Sequence, residues 1–260
     1  MVSQGPSAMT AHLLILGGTT EATALARAVA EAGLRGTVSF AGRVARPARQ
    51  PLPQRVGGFG GPQGLAAWMA AEGVTHLIDA THPFAARMSG NAVAAASASG
   101  IPLIALTRPP WMPEAGDAWT GVADLAAAAS TLKRREPRTV LLAVGRLHLS
   151  LFSEAPHHRY VLRLIDPPET PPPFPDHRVL IDRGPFDAAA DKQMMETEGV
   201  DLVVSKNSGG TGAYGKIEAA RALGLPVIMV ERPAIPSRRE SGSVTEVMDW
   251  LAHSGTDLGV

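Results

Sequence analysis

Short apolar runs alternate along this chain with longer, alanine-rich stretches of helical character. In the first half, the runs predict strands at about residues 12–17, 37–41, 75–79 and 102–106, and the longer stretches predict helices at about 20–33, 62–72 and 84–99. An order of strand, helix, strand is typical of βαβ units, whose strands form a parallel sheet. The first half therefore predicts one doubly wound unit.

The same alternation restarts in the segment RREPRTVLLAVGR. It predicts strands at about 139–144, 160–165, 178–182, 201–205 and 226–230, and helices at about 187–198, 214–223 and 243–253. We therefore expect an α/β protein of two Rossmann-like, doubly wound parallel-sheet domains that face each other across a cleft. The expected domains are residues 1–130 and 131–260, with ligands at the carboxyl ends of the strands.

The composition narrows the classes of partner. The 260 residues are 45% hydrophobic, and 24 basic side chains balance 24 acidic ones, so no strongly basic surface predicts nucleic acid or an anionic membrane as a partner. The apolar run LLIL near the N-terminus is far too short for a signal sequence or a membrane span. Cysteine is absent, which excludes disulfides and thiolate sites and suits a reducing compartment; we expect a cytoplasmic protein.

The first candidate site is the turn in LLILGGTTEATALARAVAEAG. Gly17 and Gly18 end an apolar run, Thr19 and Thr20 follow, and a helix begins. Glycines let the backbone approach a ligand, and the first N–H groups of a helix attract an anion, so a pyrophosphate fits here. The spacing is not G-x-G-x-x-G, and a tight turn with Thr19 or Thr20 as the helix cap remains the alternative. Glu21 would repel a phosphate, so we expect it to turn away and form a cap or an ion pair.

The second predicted strand ends in SFAGRVARPAR. In a doubly wound nucleotide site, an acidic residue after this strand suits a ribose 2′-hydroxyl, whereas arginine suits a 2′-phosphate. Ser39, Arg43 and Arg46 lie here and no acidic residue does, which favours NADP over NAD. The alternative is that these arginines are merely solvated.

The third stretch, HLIDATHPFAARM, has polar residues directly after a predicted strand. Asp79, Thr81, His82 and Pro83 are expected at the mouth of the cleft, which makes His82 the best placed of the eight histidines. It is a candidate proton donor, although a lone histidine is more often structural. No histidine pair has convincing metal-ligand spacing, so we expect no metal site.

The fourth stretch, VVSKNSGGTGAYGKIEAA, contains G-x-x-x-x-G-K from Gly210 to Lys216. A P-loop follows its lysine with Ser or Thr, whose hydroxyl holds Mg²⁺, but Ile217 follows here, and the loop comes after a late strand. These departures argue against an ATPase. The remaining interpretation is a loop rich in N–H groups, hydroxyls and ammonium groups that suits carboxylates or phosphates.

Four ordered blocks, LGGTTEA, DATHPFA, DRGPF and SKNSGGTGAYGKIEAARALGLPVIMVERP, resemble the precorrin-6A reductases of cobalamin biosynthesis. The resemblance covers about residues 12 to 250. It implies an NADPH-dependent reduction of one double bond in a methylated, polycarboxylate tetrapyrrole, giving the dihydro product. It also implies two Rossmann-like domains without flavin or metal, and neighbouring pathway enzymes as further partners.

The resemblance also implies roles for individual residues. In residues 1–130, NADPH would bind to Gly17, Gly18, Thr19, Thr20, Glu21, Ser39 and Arg43, with Thr81, His82 and Pro83 near the nicotinamide. In residues 131–260, the substrate carboxylates would bind to Lys206, Asn207, Ser208, Gly209, Gly210, Thr211, Gly212, Tyr214 and Lys216. Candidates for the proton donor are Lys216, Lys206, His82, Tyr214 and solvent, with Lys216 favoured because burial lowers the pKa of an ammonium group.

Two other functions share part of these features. A non-enzymatic NADP(H) sensor would share the first three stretches, but would have little use for the lysine-containing glycine loop. A P-loop-like phosphotransferase would share the fourth stretch alone.

Overall fold

The computed structural model describes residues 11–42, 49–182 and 186–254. The described strands are β1 (His12–Leu16), β2 (Arg35–Phe40), β3 (Gln54–Val56), β4 (His76–Asp79), β5 (Leu103–Leu106), β6 (Ala118–Val122), β7 (Thr139–Ala143), β8 (Arg159–Leu164), β9 (His177–Ile181), β10 (Leu202–Lys206), β11 (Pro226–Val230) and β12 (Arg239–Ser241). The helices are α1 (Thr20–Glu31), α2 (Pro62–Ala71), α3 (Ala86–Ser99), α4 (Leu125–Lys133), α5 (Ala188–Glu198), α6 (Gly215–Ala222) and α7 (Val244–Ser254), and a 3₁₀ helix spans Arg146–Phe152.

The first compact unit consists of Met1–Arg108 and Ala234–Val260. Its sheet has the strand order β3-β2-β1-β4-β5-β12, and every described pairing is parallel. All of β1 is buried because alternate side chains enter opposite cores: Leu13 and Ile15 pack with α1 and α7, whereas Leu14 and Leu16 pack with α2 and α3. This two-sided burial explains the unbroken apolar run at β1.

The second compact unit is Pro109–Pro233. Its sheet has the order β9-β8-β7-β10-β11-β6, again with parallel pairings throughout the described strands. One core joins Leu141, Val203 and Val227 from the sheet to Met195 of α5 and Ile217 of α6. The predicted class, an α/β protein with two doubly wound parallel sheets, is confirmed.

The division of the chain differs from the expected domains of residues 1–130 and 131–260. β6 lies before residue 131 but pairs with β11 in the second sheet, whereas β12 lies near the C-terminus but pairs with β5 in the first. The sixth strand of each sheet thus comes from outside the half of the chain that supplies the other five: β12 completes the first sheet and β6 completes the second. Both are edge strands with largely exposed side chains. They therefore lack the apolar run by which the sequence analysis recognised strands.

Candidate active site

Three of the four predicted stretches meet at one edge of the first sheet. Leu16, the last residue of β1, pairs in register with Ser39 of β2 and with Asp79 of β4. Because these strands are parallel, the segments that follow them begin at the same carboxyl edge. The glycine turn, Ser39 and the polar residues after Asp79 therefore belong to one candidate site.

The glycine turn has the backbone that the sequence predicted. Gly17 donates its N–H to the Ser39 carbonyl at 2.9 Å, which ties the turn to the end of β2. Gly18 has φ +119°, a value that favours glycine, and a Cβ placed there would meet no atom within 4 Å. The turn thus exposes its backbone to open space directly before α1.

The two threonines of the turn have different contacts. Thr19 caps α1: its hydroxyl accepts the N–H of Ala22 at 3.1 Å and donates to the carbonyl of Ala80 at 2.8 Å. Thr20 is exposed, and its hydroxyl donates to Glu21 at 3.1 Å. Thr19 therefore joins the glycine turn to the end of β4, as the capping alternative expected, and leaves the open side at Gly18 unobstructed.

Glu21 pairs with Arg108, at 2.9 Å between Oε2 and Nη1, which confirms the expectation that it turns away to form a pair. Burial alone would raise the pKa of Glu21, but the hydrogen bond to its own backbone N–H and the charge of Arg108 lower it below its ordinary value. The ion pair neutralises the carboxylate nearest to the helix start. An anion at this turn would consequently face little repulsion.

The end of β2 carries a buried serine and an arginine that the sequence analysis missed. Ser39 is 6% exposed, and its hydroxyl accepts a hydrogen bond from Nη1 of Arg55 on β3 at 2.8 Å. Arg43, the predicted contact of the 2′-phosphate, lies outside the described residues. The cation that the structure brings to Ser39 is thus Arg55.

The loop after β4 is held by a buried ion pair. One oxygen of Asp79 accepts the N–H of Thr81 at 3.1 Å and its hydroxyl at 2.7 Å, while Arg238 donates to the other oxygen. Both charged side chains are nearly inaccessible, at 1% and 6% exposure. Arg238 therefore anchors the segment before β12 to the loop after β4 and fixes Thr81.

His82 and Pro83 follow Thr81 in this loop. Pro83 is buried, whereas His82 is half-buried and its Nδ1 accepts the N–H of Phe84 at 3.2 Å. An accepting Nδ1 carries no proton, so the neutral ring holds its proton on Nε2. This is the tautomer that a donor through Nε2 requires.

The fourth stretch is a loop between β10 and α6 in the second unit. Asn207 is 4% exposed, and its side chain accepts the N–H of Trp111 at 2.8 Å and donates to the carbonyl of Trp111 at 3.0 Å. The indole of Trp111 in turn donates to the carbonyl of Gly210 at 2.7 Å. Both ends of the Asn207 side chain are used in fixing the loop to residue 111.

Arg232 holds the backbone of this loop by hydrogen bonds. It donates to the carbonyls of Asn207 and Ser208 at 3.0 and 3.1 Å, and the Ser208 hydroxyl donates to the carbonyl of Lys206 at 3.4 Å. Gly209 has φ +68°, and a Cβ there would collide with the carbonyl of Pro109 and with the Arg232 guanidinium. Gly209 is therefore required by packing and by backbone conformation.

Lys216 and Tyr214 also fold back onto the protein. Lys216 is 7% exposed, its Nζ donates to the carbonyl of Ala213 at 2.6 Å, and it lies 4.9 Å from the ring centre of Trp111. The Tyr214 hydroxyl donates to Glu114 at 2.9 Å and accepts from Arg221 at 2.7 Å; burial is the first cause that raises the pKa of Tyr214. Lys216 is therefore not a solvated lysine.

Phe186, the last residue of the DRGPF block, contacts this loop inside the second unit. Phe186 donates its N–H to the carbonyl of Gly212 at 3.4 Å, and a Cβ on Gly215 would lie 2.8 Å from the carbonyl of Phe186. Arg163 of β8 lies over the Phe186 ring at 4.3 Å and pairs with the buried Asp191 at 2.7 Å. Phe186 thus joins the glycine loop from another part of the sequence; within that loop, Thr211 is exposed and Gly210 and Gly212 are half-buried.

The carboxyl edge of the second sheet also exposes large apolar side chains. Leu147 lies in the 3₁₀ helix that follows β7, Ile165 directly follows β8, and Ile181 ends β9; their exposures are 61%, 50% and 49%. Leu164 pairs in register with Ile181, so Ile165 and Ile181 lie close along this edge. Exposed apolar side chains grouped at a ligand-binding edge are suited to contact an apolar ligand face.

Comparisons with known proteins identify the family. The family model described as precorrin-6x reductase CbiJ/CobK matches residues 12–252. This chain belongs to that family. The precorrin-6A reductase of Rhodobacter capsulatus is 53% identical over 250 residues, covering 96% of this chain and 99% of the relative, and that of a Sinorhizobium species is 48% identical, covering 93% of each. A solved structure of CobK precorrin-6A reductase shares 52% identity and a TM-score of 0.90, covering 94% of this chain and 96% of that one.

Membership in the CbiJ/CobK family decides between the functions considered above. The chain is an enzyme of the reductase class, so the alternatives of a non-enzymatic sensor and of a phosphotransferase are not retained. A reductase needs a reductant, which supports a reductant cofactor. In the described part of the chain, no helix is long and apolar enough to cross a membrane, and no three His, Asp or Glu side chains form a group that could hold a metal ion.

Five residues of these arrangements escaped the sequence analysis: Arg55, Trp111, Arg163, Arg232 and Arg238. Arg55 precedes the glycine-rich segment VGGFGG, and a lone cation beside such a segment is a signal that could have indicated it. Arg232 lies near the end of the fourth block quoted above, without a feature that indicated its contacts, whereas Trp111, Arg163 and Arg238 lie outside all four blocks. Structural contacts alone bring them to the candidate residues.

Proposed function

We propose that this chain reduces one carbon–carbon double bond of precorrin-6A with NADPH, giving the dihydro product in cobalamin biosynthesis. The observation that carries the proposal is the meeting of the glycine turn, Ser39 and the Asp79 loop at one carboxyl edge, in a chain of a reductase family. The strand order of the first unit also matches the dinucleotide-binding arrangement. Cytoplasmic location and contacts with neighbouring pathway enzymes stay predictions.

The first unit is proposed to bind NADPH, which supplies the hydride when bound. The backbone at Gly17 and Gly18, with the N–H of Thr20 at the first position of α1, suits the pyrophosphate, since a Cβ at Gly18 would meet only open space. The paired Glu21 and the capping residue Thr19 hold this helix start in place.

The two other stretches at this edge complete the proposed cofactor site. Ser39 and Arg43 are assigned to the 2′-phosphate, because no carboxylate follows β2 in the sequence. Thr81, His82 and Pro83 are assigned to the nicotinamide side of the site. Their support is the fixed position of Thr81, whose hydroxyl is held by Asp79 at 2.7 Å.

The second unit is proposed to bind the polycarboxylate macrocycle. The loop residues assigned to its carboxylates are Lys206, Asn207, Ser208, Gly209, Gly210, Thr211, Gly212, Tyr214 and Lys216. Asn207, Gly209 and Tyr214 support this site indirectly, because their contacts hold the loop in shape. The apolar side chains at Leu147, Ile165 and Ile181 suit the flat, apolar faces of the macrocycle.

The dihydro product requires one hydride and one proton, and this chain is proposed to supply the proton. Lys216 is the first candidate, since its buried ammonium holds a proton at a defined position, 2.6 Å from the carbonyl of Ala213. His82, with its proton on Nε2, is the second. The assignment of Lys216 is tested by the substitution described in the Discussion.

Ligand-induced stabilisation tests the proposed cofactor cheaply. We expect NADPH to raise the melting temperature of the purified chain more than NADH does, and ATP with Mg²⁺ to have no effect. Addition of precorrin-6A should then cause loss of NADPH absorbance, with one NADPH consumed for each product formed. Stabilisation by ATP and Mg²⁺ without any effect of NADPH would overturn the proposal.

A further inference from the structure

Arg55 is held at the end of β2 by several well-aligned hydrogen bonds. It pairs in register with Ser39, donates from Nη1 to the Ser39 hydroxyl at 2.8 Å and to the carbonyl of Gly57 at 2.9 Å, and donates from Nη2 to the carbonyl of Gly58 at 3.2 Å. These three bonds fix the plane of the guanidinium. The side chain is therefore ordered before any ligand arrives.

Two aromatic rings also pack against the guanidinium of Arg55. The guanidinium carbon lies 3.8 Å from the ring centre of Phe59 and 5.4 Å from that of Trp68, which themselves pack edge to face. Stacking on an aromatic face leaves the edge of a guanidinium available for hydrogen bonds. Arg55 thus combines a fixed orientation with free donor capacity.

The charge of Arg55 has no carboxylate partner among the described residues. Burial lowers the pKa of Arg55, yet an arginine remains charged at neutral pH. Of its five N–H donors, three are used in the bonds above, and the proton of the Ser39 hydroxyl has no acceptor within the part of the chain that the structure describes. A partly desolvated, unpaired cation beside a free hydroxyl donor is the chemistry of an anion site.

The position of this pair suggests which anion it binds. The Ser39 carbonyl accepts the N–H of Gly17, so the pair lies one strand away from the turn assigned to the pyrophosphate. In doubly wound domains, this end of the second strand meets the adenosine ribose. We infer that Arg55 and Ser39 form the subsite of the cofactor 2′-phosphate and set the preference for NADPH over NADH. The inference rests on the proposed function and names Arg55 as a specificity residue beside Arg43.

The experiment compares four ligands by calorimetric titration: NADPH, NADH, adenosine 2′,5′-bisphosphate and 5′-AMP. The variants are Arg55→Met, which keeps the length of the side chain, and Arg35→Met as matched control, because Arg35 is an exposed arginine at the opposite end of β2. For the wild type and the control, we expect the 2′-phosphate to tighten binding at least about tenfold in both ligand pairs. In Arg55→Met this ratio should fall several-fold, while the affinities for NADH and 5′-AMP stay within about twofold of the wild type.

The outcomes separate the inference from the proposed function. A wild type that binds neither dinucleotide, or that binds both equally, would contradict the proposed cofactor. A wild type that prefers NADPH, together with an Arg55→Met variant that keeps this preference, would overturn the role of Arg55. Should Arg55→Met fail to fold, Ser39→Ala is the second test, because the hydrogen bonds of Arg55 to Gly57 and Gly58 remain in that variant. A several-fold smaller preference for the 2′-phosphorylated ligands supports the subsite, and an unchanged preference overturns it.

Discussion

Replacing Lys216 by methionine removes a buried ammonium from the loop after β10 but keeps most of the apolar stem. The wild-type Nζ donates to the carbonyl of Ala213 at 2.6 Å and lies 4.9 Å from the Trp111 ring centre. A hydrogen bond from a charged donor contributes roughly 1.5–3 kcal/mol, and the carbonyl left behind belongs to the half-buried Ala213. We therefore expect a loss of about 2 kcal/mol in the free energy of unfolding, or roughly 4–8 °C in melting temperature.

The same substitution tests the proposed substrate site. If Lys216 contributes a charge-assisted contact to a carboxylate, Lys216→Met should raise the dissociation constant of precorrin-6A about ten- to a hundredfold, whereas NADPH affinity should change far less. If Lys216 also donates the proton, the rate should fall at saturating substrate and its pH dependence should shift. Lys206→Met should chiefly weaken substrate binding.

The assay combines thermal melting with single-turnover measurements of NADPH oxidation at several substrate concentrations. Lys192→Met is the matched control, because the Lys192 side chain on α5 is 44% exposed and its Nζ lies 3.9 Å from Glu196, a pair expected to contribute less than about 0.5 kcal/mol. An unchanged melting temperature in Lys216→Met would refute the structural reasoning. A stable variant with unchanged substrate affinity and hydride-transfer rate would remove Lys216 from the site.

Three further substitutions test other parts of the account. Gly18→Val should abolish NADPH binding in a chain that circular dichroism shows to be folded, whereas Gly33→Val, at another positive φ with open space, should retain it; normal affinity in folded Gly18→Val would make the turn merely structural. Glu21→Gln should remove a pH-dependent contribution to the free energy of unfolding. Because the pKa of Glu21 is lowered in the folded state, this contribution is complete above pH 4.5 and is lost as the pH falls through the folded-state pKa. Parallel curves of unfolding free energy against pH for the two proteins would contradict this. Asn207→Leu should lower the free energy of unfolding in urea by about 2–4 kcal/mol, since the buried N–H and carbonyl of Trp111 lose their partners. A loss below about 0.5 kcal/mol would refute the stabilising role of these two hydrogen bonds.

Most strands that the sequence predicted are buried on both faces of a sheet, whereas β9 is a largely exposed edge strand that was predicted from its apolar run at residues 179–181. β1, β4, β10 and β11 are short apolar runs with largely or wholly buried side chains, and their predicted bounds lie within two residues of the observed ones. β3, β6 and β12 were missed because they are edge strands, largely exposed and without an apolar run. The same property hid the exchange of β6 and β12 between the two sheets.

The candidate site was predictable where it depends on local backbone. The glycine turn, the helix cap and the loop after β4 follow from residues adjacent in sequence, and each is found where it was expected. Arg55 had only the adjacent glycine-rich segment as a local signal, and Arg238 and Trp111 had none, because each of the three contributes through a contact with a residue 16 or more positions away. Such contacts depend on strand register and on the path of the returning C-terminal segment, which single-sequence patterns do not specify.

The central claim is that this chain transfers a hydride from NADPH to precorrin-6A. The most direct test incubates the purified chain with precorrin-6A and NADPH deuterated at either the pro-R or the pro-S position of C4, and measures the mass of the isolated tetrapyrrole. We expect a dihydro product that carries one deuterium from one of the two labelled cofactors and none from the other. A dihydro product free of deuterium with both cofactors, or no reduction of precorrin-6A with NADPH at all, would contradict it.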